Sequence, residues 1–231
     1  MKHDKNLTRT LIIGIIGAII TMTGDYLLLG VDYTGAEGML GRFIISAGKV
    51  SYTRIGLAGF FGFAGIPLSA VGYGVLYDLT KEPESRMARL YKLSVWGYTA
   101  FGGTIHVICC YIMTGIKKAL ETGTAAENIL QVILNEQGGF LIPCCVVFFL
   151  FYGVSIVTMM LLIGKDRTSL PKWMWCLNPL LFKLLINAVG QLGTTAIFNG
   201  LACSNMSLGA VIILTAWLAN MLQTKRTIRK K

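Results

Sequence analysis

Six apolar stretches, each about 20 residues long, restrict what this chain can fold into. A helix rises about 1.5 Å per residue, so a stretch of that length matches a hydrocarbon core about 30 Å thick. Strands of a membrane barrel would instead alternate apolar and polar residues over about ten positions, and the sequence does not show that pattern. We therefore predict an all-α, polytopic integral membrane bundle in one domain, residues 1–231. The six predicted transmembrane helices cover about residues 10–30, 55–77, 90–116, 140–163, 178–199 and 204–222.

Composition agrees with this assignment. Hydrophobic residues make up 54% of the chain and charged residues only 14%, and the mean hydropathy is +0.64. Charged residues account for about 25% of an ordinary soluble domain. The composition therefore excludes an ordinary soluble protein.

Basic residues fall mainly on one side of the predicted membrane. Fifteen of the 21 Lys and Arg residues lie before the first span, between spans two and three, between spans four and five, or after the last span. Basic residues near span ends resist translocation, so we predict a multi-pass protein of the cell membrane with both termini in the cytoplasm. The C-terminal sequence KRTIRKK is interpreted as part of this signal and as a contact for anionic lipid. Membrane lipids, and not nucleic acid, are the expected partners.

Several polar side chains recur at helical spacing inside the predicted spans. Asp25, His106 and Gln191 belong to three helices that run in the same direction, and we expect these three side chains at similar depth. They predict a polar cavity in the outward half of the bundle. The full set is Asp25 in the first span, Tyr98 and His106 in the third, and Lys183, Asn187 and Gln191 in the fifth.

Asp25 and His106 are the predicted catalytic residues. An ionised carboxylate in a span costs about 2.5 to 3.5 kcal/mol, so Asp25 must face the interior, be protonated, or pair. A neighbouring carboxylate fixes the tautomer of an imidazole and raises its basicity, as a general base or proton relay requires. The alternative is that these polar groups only join helices through hydrogen bonds.

Tyr98, Lys183, Asn187 and Gln191 are the predicted substrate-binding residues. Two interpretations of Lys183 stay open. Asn178 and Pro179 predict a helix start just before it, so its long stem can carry the ammonium back to the cytoplasmic edge. In the second interpretation, Lys183 pairs with a buried acid or with a ligand.

Glycines follow one another at three-residue intervals in the second span, at Gly56, Gly59, Gly62 and Gly65. Small residues let helix backbones approach closely in lipid, so this stripe predicts a packing groove. A role in shaping a substrate path is the alternative.

Neither a metal site nor a cofactor is predicted. The chain has only His3 and His106, too few for a three-histidine zinc hydrolase of the kind found in intramembrane ceramidases. It contains no HExxH, GxSxG, GxGxxG or phosphate-loop motif.

The sequence TGDYLLLG, residues 23–30, resembles the Gly-Asp-x-x-Leu element of the lysoplasmalogenase-like family of multi-pass lipid hydrolases. The resemblance covers these eight residues, and that family usually has eight spans. It implies an active-site role for the acid of this element, which here is Asp25.

Two main functions use the predicted cavity. In the first, the protein binds or processes a lipid-like substrate, with Asp25 and His106 as the acid-base pair. In the second, it is a small proton-coupled transporter in which Asp25 carries the proton and the face with Lys183 lines the path. A third possibility is a scaffold subunit without catalytic activity. The oligomeric state is not predicted.

Overall fold

A computed structural model describes residues 2–35, 38–123 and 126–229. Within these ranges the chain forms eight α-helices and one 3-10 helix, and its only β-type pairing is an isolated bridge between Thr80 and Thr168. The 3-10 helix, Lys172–Cys176, lies between α5 and α6. The α-helices are α1 (Lys2–Leu29), α2 (Gly38–Lys49), α3 (Tyr52–Asp78), α4 (Arg86–Glu121), α5 (Ala126–Gly164), α6 (Pro179–Gly190), α7 (Ala196–Cys203) and α8 (Asn205–Arg229).

Five helices of the described residues are long and apolar enough to cross a membrane. They confirm the prediction of an all-helical membrane bundle and correspond to the first, second, third, fourth and sixth predicted spans. Side-chain caps mark two of the helix starts, because Ser51 and Ser85 accept the exposed backbone N–H groups of α3 and α4. The apolar segments are Asn6–Leu29, Tyr52–Asp78, Arg86–Glu121, Gly138–Gly164 and Asn205–Thr224.

The fifth predicted span, residues 178–199, is not one continuous helix. Its place is taken by α6 with 12 residues and α7 with 8, each too short to cross a membrane alone. The six predicted spans are therefore corrected to five continuous helices and one broken segment. Gly193 and the β-branched Thr194 and Thr195 lie in the break, and their low helix propensity accounts for it.

Hydrogen bonds connect this break to the residues at the end of α1. The side-chain amide of Asn199 donates to the carbonyl of Val31 at 2.6 Å and to that of Thr194 at 2.7 Å. The backbone N–H of Tyr33 donates to the same Thr194 carbonyl at 3.2 Å. Backbone groups that leave a helix inside a bundle need such partners, since there is no water to satisfy them.

The packed helices alternate in direction. Both α3 and α8 run antiparallel to α1, α4 packs against α3, and α5 packs against α4. The start of α1 and the end of α8 therefore lie at one end of the bundle, together with the connections from α3 to α4 and from α5 to α6. The described parts of the four basic segments share this end, which we call the basic end. The contacts that fix the directions around α1 are Gly72 with Gly14, Gly62 with Gly24, Leu214 with Gly14, and Ser207 with Asp25.

Two hydrophobic clusters hold the bundle together. The larger cluster includes the fully buried Trp217 and Tyr91 and reaches Tyr98 of α4. The smaller cluster includes Met113 and Cys110 of α4. His106 lies between the two clusters along α4, so the polar residues interrupt the apolar core at this level.

Candidate ligand-binding cavity

A cavity of about 220 Å³ lies inside the bundle and is not fully enclosed. Its walls come from α1, α3, α4, α5, α8 and the last residue of α7. Its polar lining includes Asp25 of α1, Ser69 of α3, His106 of α4 and Ser207 of α8. Among the residues that the structure describes, no lysine or arginine lines the cavity, although the whole chain carries a net charge of +10.

Asp25 is the acidic centre of the cavity. The hydroxyl of Ser207 donates to its Oδ2 at 2.7 Å. Ser207 is the third residue of α8, so the carboxylate faces the positive end of that helix, where negative charge is favoured. Asp25 precedes the end of α1 by four residues, or about 6 Å, so it is close to the end of the bundle opposite the basic end.

His106 contacts Asp25 on its other side. Its Nδ1 lies 3.7 Å from Oδ1 of Asp25, and its Nε2 lies 3.0 Å from the carbonyl of Ala58. A carbonyl can only accept, so Nε2 carries a proton and Nδ1 faces the carboxylate. The distance of 3.7 Å is too long for a direct hydrogen bond, so exchange of a proton between the two groups needs a small movement or a bridging water.

Gly62 provides the space for the imidazole. A Cβ atom at this position would overlap the ring of His106. Gly65 of the same stripe lies against Thr21 and the backbone of α1, as the predicted packing groove requires, whereas Gly56 has open space around it. The stripe therefore packs helices at one position and seats a polar side chain at another.

Aromatic side chains form the wall of the cavity nearest the basic end. Tyr98 meets Tyr73, Phe148 and Tyr152 edge to face, with ring centroids 5.7 to 6.5 Å apart. Tyr73 in turn meets Trp217 at a centroid distance of 6.0 Å. These rings give the cavity an apolar part beside the polar group of Asp25, His106 and Ser207.

One side of the cavity lies between α5 and α8. Helix α5 packs extensively against α4, but it makes few close contacts with α8 within the described residues. Phe148 and Tyr152 of α5 and Met206 and Ala210 of α8 nevertheless line the same cavity. Helix α6 lies beside both, since its Phe182 packs against Gly209 of α8 and its Lys183 lies over the ring of Phe149 of α5.

The structure brings Asp25, His106 and Tyr98 together and keeps the other predicted site residues away from the cavity. Lys183 is half-buried, and its Nζ lies 5.5 Å from the ring centroid of Phe149. Asn187 and Gln191 are exposed, and Arg42 donates to Oε1 of Gln191 at 3.2 Å.

The predicted meeting of Gln191 with Asp25 and His106 is therefore wrong. Because α6 ends at Gly190, Gln191 lies at the edge of the helical break, and the helical spacing that joined it to Lys183 stops there. The ligand-binding roles of Lys183, Asn187 and Gln191 stay predictions, at positions outside this cavity.

Several residues of the cavity were not predicted as site residues, among them Ser207, Tyr73, Phe148 and Tyr152. The spacing of Phe148 and Tyr152 by four residues was a usable signal, because such residues share one helix face. Tyr73 follows Ile66 and Ser69 on one face of α3 in the same way. A single serine in an apolar helix gives no comparable signal for Ser207.

Arg54 of α3 fixes the end of α1 near the cavity. It donates to the carbonyls of Tyr26, Leu27 and Gly30, which include carbonyls that the end of a helix leaves unsatisfied. In the adjoining connection, burial raises the pKa of Tyr33 well above its ordinary value, so its hydroxyl keeps its proton and donates to the carbonyl of Leu29. These contacts hold the helix that carries Asp25.

Candidate metal ligands do not gather in the part of the chain that the structure describes, since no three His, Cys, Asp or Glu side chains cluster there. The chemistry that the polar group offers is proton exchange between a carboxylate and an imidazole, together with binding of a polar or charged ligand group.

Five apolar helices around an internal polar cavity define a helical membrane protein with a candidate ligand site. The chain belongs to a family described as "Family of unknown function (DUF6796)", whose model matches residues 1–224. No curated protein and no solved structure matches the chain at a significant level. The resemblance to the lysoplasmalogenase-like family therefore stays a prediction that rests on residues 23–30 alone.

Proposed function

We propose that this protein binds a small lipid-like amphiphile inside its helical bundle, with Asp25 and His106 at the polar group of the ligand. The observation that carries the proposal is the cavity itself, in which a carboxylate, an imidazole and a hydroxyl lie beside aromatic rings. An ionisable residue within a membrane-spanning helix marks a functional site by default.

The size of the cavity supports a ligand that enters only in part. Pockets that hold drug-sized molecules measure about 300 to 1,000 Å³, whereas this cavity measures about 220 Å³. We infer that the cavity takes the polar group and the first part of a chain. The rest of the chain lies outside the cavity, which is not fully enclosed.

The order of the polar groups favours binding and proton transfer over covalent hydrolysis. A serine nucleophile is activated when its hydroxyl donates to a histidine that a carboxylate orients. Here Ser207 donates to Asp25, and Asp25 stands between Ser207 and His106. In the proposed function, His106 accepts or supplies a proton and Asp25 holds the ligand.

The cysteines of the chain allow a direct test of occupancy. Cys109 and Cys203 line the cavity, whereas Cys176 lies exposed on the 3-10 helix outside it. We would measure their modification rates with methyl methanethiosulfonate by peptide mass spectrometry, in phospholipid nanodiscs. Dodecyltrimethylammonium, dodecyldimethylamine oxide and dodecanoate provide three single-chain probes with different head groups.

At least one probe is expected to slow modification of Cys109 and Cys203 and to leave Cys176 unchanged. Asp25→Asn should weaken this protection by about 10-fold to 100-fold, because a charge-assisted interaction is worth about 1.5 to 3 kcal/mol. Asp32→Asn is the matched control, since Asp32 is exposed in the connection after α1. Unchanged rates at Cys109 and Cys203 with all three probes would show that the cavity does not bind amphiphiles.

A proton-coupled transporter is a second candidate function. The specific observation in its favour is the break between α6 and α7, because transporters build their sites beside interrupted helices. In this candidate function, Asp25 carries the proton and the break allows the two short helices to move.

We also propose that the basic end of the bundle faces the cytoplasm and that the broken segment completes a sixth crossing. The concentration of Lys and Arg at that end supports this orientation by the positive-inside rule. Both termini would then be cytoplasmic.

A further inference from the structure

We infer that the ligand of this cavity is an organic cation with an apolar chain, whose ammonium group lies between the tyrosine rings and Asp25. The inference rests on the proposed function and adds the charge class of the ligand. It is carried by the aromatic lining of the cavity and by the charges in its wall.

Aromatic rings that pack directly on one another line one part of the cavity. Tyr98 stands nearly perpendicular to Tyr73, Phe148 and Tyr152, at interplanar angles of 83° to 87°. Phe148 and Tyr152 are nearly parallel, at 7°. Aromatic rings that line a cavity can attract a quaternary or alkylated ammonium through their negative faces, as they do in binding sites for choline and methyl-lysine.

The charges in the cavity wall favour the same class of ligand. Within the described ranges, Asp25 is the only carboxylate in the wall, and no lysine or arginine lines it. The nearby ammonium of Lys183 lies over the ring of Phe149, outside the cavity. An anionic head group would therefore meet Asp25 without a compensating lysine or arginine, whereas an ammonium group would meet an opposite charge.

Two buried tyrosines have unused hydroxyls. Tyr73 and Tyr98 are each only 8% exposed, and within the described residues no hydrogen bond is formed by either hydroxyl. Both side chains line the cavity. Within the described chain neither tyrosine oxygen is among the fully enclosed atoms without a partner, so each keeps some accessible surface. Water can satisfy these hydroxyls, whereas a quaternary ammonium has no N–H to donate to them.

The cysteine-protection assay can separate head-group charge from chain binding. Dodecyltrimethylammonium and dodecyldimethylamine oxide share a chain and have head groups of similar size, but only the first carries a net positive charge. We expect the cation to protect Cys109 and Cys203 at a concentration about tenfold lower, which corresponds to about 1.4 kcal/mol and lies within the range of cation–π attraction. Dodecanoate should protect least.

Variants at Tyr98 separate the ring from the hydroxyl. Tyr98→Phe should keep the preference for the cation, because the ring remains, and Tyr98→Leu should lose most of it. Tyr111→Leu is the control on the same helix, because Tyr111 is 66% exposed and lies outside the cavity. Asp25→Asn should reduce protection by the cation more than protection by the amine oxide.

The outcomes distinguish the two proposals. If none of the probes protects Cys109 and Cys203, the proposed function itself fails. If the cation and the amine oxide protect equally in the unaltered protein, amphiphile binding stands and the inference of a cationic ligand is overturned. Stronger protection by dodecanoate would also overturn it. Far-UV circular dichroism and gel filtration verify that each variant is folded before it is compared.

Discussion

The contact between Gly14 and Gly72 tests how the bundle is held together. A Cβ atom at Gly72 would lie 2.7 Å from the Cα atom of Gly14. Ordinary van der Waals contact begins at 3.4 Å, so Gly72→Ala must move α1 and α3 apart by about 0.7 Å along that direction. Overpacking of this kind costs about 1 to 3 kcal/mol, and the obstacle is backbone, which cannot rotate away as a side chain can.

Gly74→Ala is the matched control, two residues away on the same helix. Nothing lies within 4 Å of a Cβ atom at Gly74, so this change should leave stability unaltered or raise it by up to about 1 kcal/mol through helix propensity. Unfolding in mixed micelles with increasing dodecyl sulfate, followed by far-UV circular dichroism, measures both variants. Equal midpoints and slopes for Gly72→Ala and Gly74→Ala would refute the close contact between α1 and α3.

Two further predictions concern the end of α1 and the topology. Arg54→Gln removes a charged donor from three carbonyls and should lower the free energy of unfolding by about 1.5 to 3 kcal/mol in the same assay, whereas Arg42→Gln, which removes a contact to exposed Gln191, should change it much less. For the topology, alkaline phosphatase fused after Gln223 should be inactive in a bacterial host, because the basic end is expected in the cytoplasm; an active fusion would reverse the proposed orientation.

Apolar length predicted most of the fold. Five of the predicted spans form single helices that are long and apolar enough to cross a membrane, because each has enough consecutive apolar residues for a long helix. The prediction of one continuous helix over residues 178–199 was wrong. The segment is apolar on average, but whether its helix continues depends on a few residues. Gly193, Thr194 and Thr195 weaken the helix locally, and Asn199 and Tyr33 then satisfy the freed carbonyls. Those hydrogen-bond partners are distant in the sequence, so the hydropathy averaged over a stretch of about 20 residues could not take them into account.

The part of the candidate site that lies on one face of a single helix could be predicted from the sequence. Tyr98 and His106 are eight residues apart on α4, and Asp25 faces them because α1 and α4 both pack against α3. The position of Gln191 depended on a helix that the structure interrupts. Ser207 and Tyr73 reach the cavity because α8 and α3 pack against α1. No pattern within a single span specifies which helices pack together.

Both candidate functions depend on the charge of Asp25 in the cavity. A carboxylate in a membrane-spanning helix needs a proton, a cation or a strong donor nearby. Ser207 supplies one donor and His106 can supply a proton, but no lysine or arginine of the described residues lines the wall to make a permanent ion pair. If the ligand is the organic cation inferred above, it takes over the role of that proton, so the ligand and the proton compete for Asp25. Such competition is sufficient for a binding protein that responds to pH. It becomes proton-coupled transport only if the broken segment of α6 and α7 opens the cavity alternately toward the two ends of the bundle.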